Sequence, residues 1–454
     1  MPVLAGMDAP ARGRLSALDA RVLRMKLARV RRFEAKSKKL QRLLIRAGAP
    51  YRTVMLLQPK GRARKLMVRL GRHRDSYDSV NRAQEVFSMP ERLEPWNDFN
   101  DDDFYDLTGF YKEDFLPLCE QLTLMPRVVK RAGSVCEMKR GIFLVLVRWR
   151  ESGNFKKVAH TMCKGRSWCI TMYKAVVLEL SKHYRIILKC IDFRRVKPVL
   201  DDWEDTLMRT TGTSPGVLFA TDGKATKTCC PGSGNFARNL ARRLGCSANL
   251  MQRAFFNGHY AMHGIKLNML LQADGMSLTY SLPLRNHDGR AFLSSGIGTQ
   301  LAILNINDDY ARPVRCCSDA AYRETANMSP RRTPAQLNAM TAAARASAHA
   351  TDSGNSAFRN ATELNFASVF NKWRQANMAK AKRVFATGSA NAKSSNLHFL
   401  YRELDMQFFM WNCFVCMRGS QASSVTGVSP PSIAEYLHSA NNGQMVSPAG
   451  VLVQ

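Results

Sequence analysis

Three carboxylates stand where the pattern of this chain calls for core residues. Asp222 ends the apolar run Val217-Leu218-Phe219-Ala220-Thr221, and Asp319 ends Val314-Arg315-Cys316-Cys317-Ser318. Glu363 lies three positions before Phe366, on a helical stripe continued by Phe370 and Trp373. Acids in such places are costly unless a cation pairs with them. Oxygen donors from separate segments suit hard divalent cations such as Mg²⁺ or Mn²⁺. Two such ions, roughly 3.5–4 Å apart, can stabilise both the attacking and the leaving oxygen of an in-line displacement at phosphorus. Each acid also has a plain reading. Asp222 before Gly223 could be a turn residue, Asp319 could cap a helix, and Glu363 could pair with Arg359 one turn earlier.

The charge of the chain says what such acids would act on. Its 454 residues carry a formal net charge of +31, a field that draws polyanions. Residues 1–75 hold 21 Lys/Arg against 4 Asp/Glu, with the clusters Arg31-Arg32, Lys36-Ser37-Lys38-Lys39 and Lys60-Gly61-Arg62-Ala63-Arg64-Lys65. This reads as a partly disordered basic arm that binds phosphate and directs import into the nucleus. No apolar run nears the roughly 20 residues of a membrane span, and the N-terminus has no apolar signal segment, so neither a membrane nor a secretory route is expected. The 12 cysteines are read as reduced thiols. The pairs Cys229-Cys230 and Cys316-Cys317 are expected as strand residues, and Cys413 and Cys416 as core.

The elements that must position the acids follow from periodicity. Residues 76–109 read as an acidic linker and 110–200 as a helical region. Within the latter, a helix over Phe155–Met162 capped by Asn154, a break at Gly165, and a helix capped by Ser167 and running to about Tyr184 have the layout of a helix-turn-helix. Lys164, Arg166, Ser167, Thr171 and Lys174 would line the exposed start of its second helix. Residues 201–386 read strand, hairpin, helical segment, strand, helix. The Asp274-Gly275 turn between the runs Ile265–Ala273 and Met276–Leu284 is the hairpin signal. This order predicts an α/β fold with helices packed on a mixed sheet. Surface insertions are expected at 232–253 and 325–357, a helix from Phe358 to about Val384, a C-terminal helix within 387–419, and a disordered tail over 420–454.

At these residues the chain resembles the DDE transposases of the PIF/Harbinger superfamily. The likeness rests on Leu218-Phe219-Ala220-Thr221-Asp222-Gly223, Asn286-His287-Asp288, Cys317-Ser318-Asp319-Ala320-Ala321-Tyr322, Arg359-Asn360-Ala361-Thr362-Glu363 and Trp411-Asn412-Cys413. The helical block before them is similar to that family's helix-turn-helix region. The resemblance covers about residues 110–420. It implies a ribonuclease-H-like mixed sheet with flanking helices, a metal-binding triad of Asp222, Asp319 and Glu363, and Asp288 as a fourth acid near it. It also implies a Myb-like helper protein and a homo-oligomer as partners. Lys224-Ala225 departs from the Thr-His that more often follows the family's Asp-Gly.

The expectation is therefore a divalent-metal-dependent endonuclease or transposase. It would cut phosphodiesters at transposon ends and transfer the freed 3′-OH to target DNA. Lys224, Lys227, Arg238, Arg242 and Arg243 would contact DNA phosphates. The alternative is a domesticated DNA-binding protein that kept the fold and lost cleavage. A basic RNA-associated protein fits less well, because no strand carries a repeat of aromatic stacking residues.

Overall fold

The computed structural model describes residues 94–151, 155–230, 247–306, 310, 312–322, 327–377, 396–441, 445–446 and 452–453. The basic arm, Asn154, Arg238, Arg242, Arg243 and most of the expected insertion at 232–253 lie outside the described residues. Residues Glu91–Gln454 cluster as a single unit.

The unit begins earlier than an acidic linker would allow. Asn100 caps helix α1 (Asp101–Thr108), its side chain accepting from Asp103 N at 2.7 Å, and Asp101, Asp102 and Asp103 fill the first turn. Acids there complement the positive end of the helix dipole. Trp96 and Phe104 are buried with Phe115 of α2 (Lys112–Gln121) and Phe143. Burying each such ring contributes about 2–3 kcal/mol. The acidic character of this segment belongs to a helix start, not to a tether.

A short hairpin, β1 (Val128–Arg131) with β2 (Ser134–Glu137), leads into α3 (Met138–Arg150), which is buried over nearly its whole length. Helices α4 (Phe155–Thr161) and α5 (Arg166–Tyr184) follow, separated by a turn in which Cys163 has φ +47°. Gly165, not Ser167, is the N-cap of α5. Arg140 on α3 steadies this turn, its Nη2 donating to Met162 O at 3.3 Å.

After α6 (Leu200–Thr211) comes the mixed sheet. Its strands are β3 (Val217–Lys227), β4 (Phe256–Asn257), β5 (Met262–Gln272), β6 (Ser277–Pro283), β7 (Arg315–Ser318) and β8 (Met328–Pro330). They lie in the order β6-β5-β3-β7-β8, with β4 pairing the start of β5. The β6-β5 and β5-β3 pairs are antiparallel, and the β3-β7 and β7-β8 pairs parallel. The Asp274-Gly275 turn joins β5 to β6 as expected, Gly275 taking φ +83°. Helix α7 (Ala248–Phe255) precedes β4, while α8 (Asp288–Ser295) and α9 (Ile297–Ile306) connect β6 to β7. The fold is thus mixed α/β with flanking helices. Cys316 and Cys317 are buried on β7, whereas Cys229 and Cys230 lie beyond the end of β3 and are partly or fully exposed.

The stretch expected as an insertion at 325–357 is mostly helix. It contains α10 (Pro334–Asn338) and the first half of α11 (Ala342–Lys372), 31 residues long. Its Ala-rich start carries high intrinsic helix propensity without an apolar stripe. Gly354 lets α11 cross against the end of α6, since a Cβ there would collide with Gly212 O. The helix stops at Lys372 rather than running on to Val384. Helix α12 (Asn396–Arg418) packs on α5 and β6. Part of the expected disordered tail is ordered: α13 (Gln421–Thr426) and α14 (Ile433–Asn441) bury Ala422, Tyr436 and Leu437.

Candidate active site

The β3-β7 register brings two of the acids together. Ala220 is level with Cys317 on the neighbouring parallel strand, and Asp222 and Asp319 each lie two residues further on. Neighbouring strands run about 4.8 Å apart, and residues of equal parity share a face. Asp222 does not end its strand as expected. Beyond Ala220, β3 continues to Lys227 by pairing with β5 alone. Asp222 is therefore an in-strand residue with an open edge beside it.

Helix α11 lies across β3 and β7 and carries Arg359 and Glu363 one turn apart. Arg359 Nη1 is 3.6 Å from Asp222 Oδ2 and 3.4 Å from Glu363 Oε1. Glu363 is not on the buried stripe of the helix. That stripe runs through Phe358, Ala361, Thr362, Asn365, Phe366 and Val369, and the Glu363 side chain stands at its edge, 58% exposed. Asp222 Oδ1 accepts from Gly223 N at 2.7 Å, and Asp319 Oδ1 accepts from Ala321 N at 2.8 Å. Burial pushes the Asp222 carboxyl up to about 6; Gly223 N and Arg359 oppose the rise, while Glu363 and Asp319 add to it. Asp222 therefore feels the charge of both other acids.

Asp288 lies apart from this group. Alternation along β3 turns Gly223 to the opposite face from Asp222, and the Asp288 carboxylate occupies the space a Gly223 Cβ would take. Lys266 on β5, buried, places Nζ 2.6 Å from Asp288 Oδ1. Tyr322 packs in the same layer, its hydroxyl 3.5 Å from Asn268 Oδ1. Burial, with the charges of Asp288, Asp222 and Asp319, keeps that phenol protonated well above its ordinary range. A lysine inside the run Ile265-Lys266-Leu267 was the available sign of a buried ion pair, but its partner follows only from the fold.

Among the described residues no three His, Cys, Asp or Glu side chains are placed to hold a metal ion. The donors at Asp222, Asp319 and Glu363 nonetheless fit a hard divalent cation by type. Arg359 supplies positive charge between two of them.

A hydrogen-bonded layer fixes α11 behind the acids. Asn365 Nδ2 donates to Ser277 Oγ at 2.5 Å and Trp411 Nε1 donates to Asn365 Oδ1. Asn412 Oδ1 accepts from Ser277 N, while its Nδ2 lies 2.9 Å from Ser277 O and 2.8 Å from the Tyr436 hydroxyl. Thus α12 ties α11 to the start of β6.

On the helical block, Arg166, Ser167 and Lys174 are exposed, and Lys164 and Thr171 half-buried. Ser167, Thr171 and Lys174 share one face of α5, opposite buried Cys169, Met172, Tyr173 and Val176. Lys164 and Arg140 both lie over the Trp168 ring. Lys224 and Lys227 are exposed on β3, past Asp222. No helix of the described residues is long and apolar enough to cross a membrane. Compared with protein-family models, curated proteins and solved structures, the chain matches none.

Proposed function

We propose that this chain is a divalent-metal-dependent DNA endonuclease of the DDE transposase kind. The observation that carries the proposal is that Asp222 within β3, Asp319 just past the neighbouring parallel strand β7, and Glu363, linked to Asp222 through Arg359 on the helix that crosses both strands, lie on adjoining elements. The strand order β6-β5-β3-β7-β8, with two antiparallel pairs followed by two parallel ones, supports a ribonuclease-H-like reading of the sheet. The α3-α4-α5 block supports a helix-turn-helix reading, with Arg166, Ser167, Thr171 and Lys174 toward DNA and Lys164 at the turn.

In this reading Asp222, Asp319 and Glu363 would hold one or two Mg²⁺ or Mn²⁺ ions, whose chemistry there would be to activate water and offset charge on the phosphate. Lys224, on the same face of β3 as Asp222, holds a backbone phosphate beyond the acids, while Lys227, of opposite parity, contacts phosphate at the end of the strand. Lys266 pairs with Asp288, which packs against Gly223 and supports β3 from the face opposite Asp222. Partners are DNA at transposon ends and target; a Myb-like helper and a homo-oligomer follow from the family likeness alone. The place of action is the nucleus.

One observation favours a second reading, a DNA-binding protein without cleavage: Arg359 already lies within ion-pair reach of both Asp222 and Glu363. Nicking of supercoiled plasmid in Mg²⁺ or Mn²⁺ separates the two. The endonuclease nicks, chelator stops it, and Asp222→Asn or Glu363→Gln abolishes it with DNA binding intact. A parent chain that binds DNA but leaves the plasmid closed in both metals overturns the proposal in favour of the second reading.

A further inference from the structure

We infer that the cleft between β8, α10 and α11 is a phosphate site that takes one nucleotide unit of a DNA strand beside the candidate active site. The inference rests on the DNA-binding part of the proposed function. The cleft has a volume of about 600 Å³, within the size of clefts that hold small organic ligands. Ala320, the residue after Asp319, forms part of its wall, so an occupant lies next to whatever the acids hold.

The charges lining the cleft select an anion. Its one carboxylate, Asp352, is spoken for: Arg332 Nη1 donates to Asp352 Oδ1 at 2.8 Å, and Arg332 N to Oδ2 at 3.2 Å. Arg332 Nη1 also reaches Ala348 O at 3.2 Å, so this pair is a fixed wall. Arg331 remains. It is exposed, and its guanidinium makes no ion pair among the described residues. Its backbone is nevertheless held, Arg331 N donating to Ser318 O at 3.1 Å directly after β8. His349, exposed on α11, and the hydroxyl groups of Ser353 and Ser356 complete the lining. A free arginine on a rigid frame, with hydroxyl and imidazole groups around it, is the donor set that proteins direct at backbone phosphates. Because the space exceeds that of a bare phosphate, the sugar or base of the same nucleotide enters with it.

The test is DNA binding by the full chain without divalent ions, so that it does not depend on cleavage. Fluorescence anisotropy of a labelled oligonucleotide is compared for the parent, Arg331→Glu, His349→Ala, and Lys130→Glu as a control of equal charge on β1. Arg331 and His349 are exposed, and melting curves check the fold. Arg331→Glu is expected to weaken binding at least tenfold and to flatten the salt dependence, His349→Ala to weaken it a few-fold, and Lys130→Glu to weaken it less than threefold. Equal losses for Arg331→Glu and Lys130→Glu, or none for either, overturn the site. Inorganic phosphate and a mononucleotide are titrated as competitors. Stabilisation by the mononucleotide that needs Arg331, with DNA binding unchanged in Arg331→Glu, overturns it in favour of a free-nucleotide site. A chain that never cuts DNA yet loses DNA binding in Arg331→Glu leaves the inference standing while the endonuclease proposal falls.

Discussion

Arg359 and Asp222 face each other across the gap between α11 and β3, with Nη1 3.6 Å from Oδ2, and the same nitrogen lies 3.4 Å from Glu363 Oε1. The guanidinium thus stands as counter-cation to two acids of the candidate metal group. It supplies to both the positive charge that a divalent ion would otherwise provide, so the two would compete.

The first prediction follows from that competition. Arg359→Gln should need less divalent ion, with the Mg²⁺ midpoint falling roughly 3–10-fold, in keeping with about 1 kcal/mol for a partly exposed ion pair. The midpoint is read from the rise of melting temperature with Mg²⁺, which requires no catalysis. An unchanged or higher midpoint would mean that the arginine does not compete with metal.

Asp222 makes a second prediction, on pH. Its folded carboxyl titrates near 6, above the 3.8 of an ordinary aspartate. Between those values the folded chain holds a proton that the unfolded chain has released. Stability from this group is full below about 3.8 and is lost as pH rises through about 6. Asp222→Asn, which cannot ionise, should therefore be the more stable protein near pH 8 by on the order of 1–3 kcal/mol, with the gain disappearing near pH 4. Denaturation without divalent ions at the two pH values checks this. A variant less stable than the parent at pH 8 would show that Arg359 more than compensates burial.

How much of this was legible in the sequence depended on whether a residue's role was local. The hairpin about Asp274-Gly275 and the break at Gly165 were local, and both were readable. The strands that carry or precede the two aspartates were readable as well, because each opens as an apolar run, although the continuation of β3 past Asp222 was not. The first half of α11 was not, since 342–357 has no apolar stripe and its helix is carried by alanine propensity and the close crossing of Gly354 over Gly212. The acids of 101–103 masked a helix start that Asn100 could have signalled. The Lys266–Asp288 pair and the exposed edge position of Glu363 depend on strand register and helix rotation, which no local pattern contains.

The third prediction concerns α5. If its exposed face meets DNA, Arg166→Ala with Lys174→Ala should remove about two phosphate contacts. Each contact contributes about 0.9 to the slope of log affinity against log salt. The double variant should bind more weakly at low salt, with a slope smaller by about 2, and should keep its melting temperature because both side chains are exposed. An unaltered slope would assign this face to something other than DNA.

The last prediction tests how α11 is anchored. Lys372, at the end of that helix, is buried. Its Nζ donates to Gly109 O at 2.6 Å and lies 3.5 Å from the Phe414 ring centre, with Tyr105 at 5.0 Å and Phe110 and Trp411 at 5.8 Å. Burial, then the charge of Arg150, lowers this ammonium from 10.5 to about 7. Between those values the unfolded chain binds a proton that the fold lacks, so this group makes stability rise with pH from about 7 toward 10.5. The faces of the four rings favour the charged form and reduce the effect. Lys372→Met removes the titration and leaves an unbranched apolar side chain in the same aromatic surroundings. In urea denaturation the parent should gain on the order of 1–3 kcal/mol relative to Lys372→Met between about pH 7 and about pH 9.5. A difference that stays flat over that interval would mean that the lysine remains charged throughout, held by the Gly109 carbonyl and the rings, and that α11 is anchored by an ammonium rather than by a neutral amine.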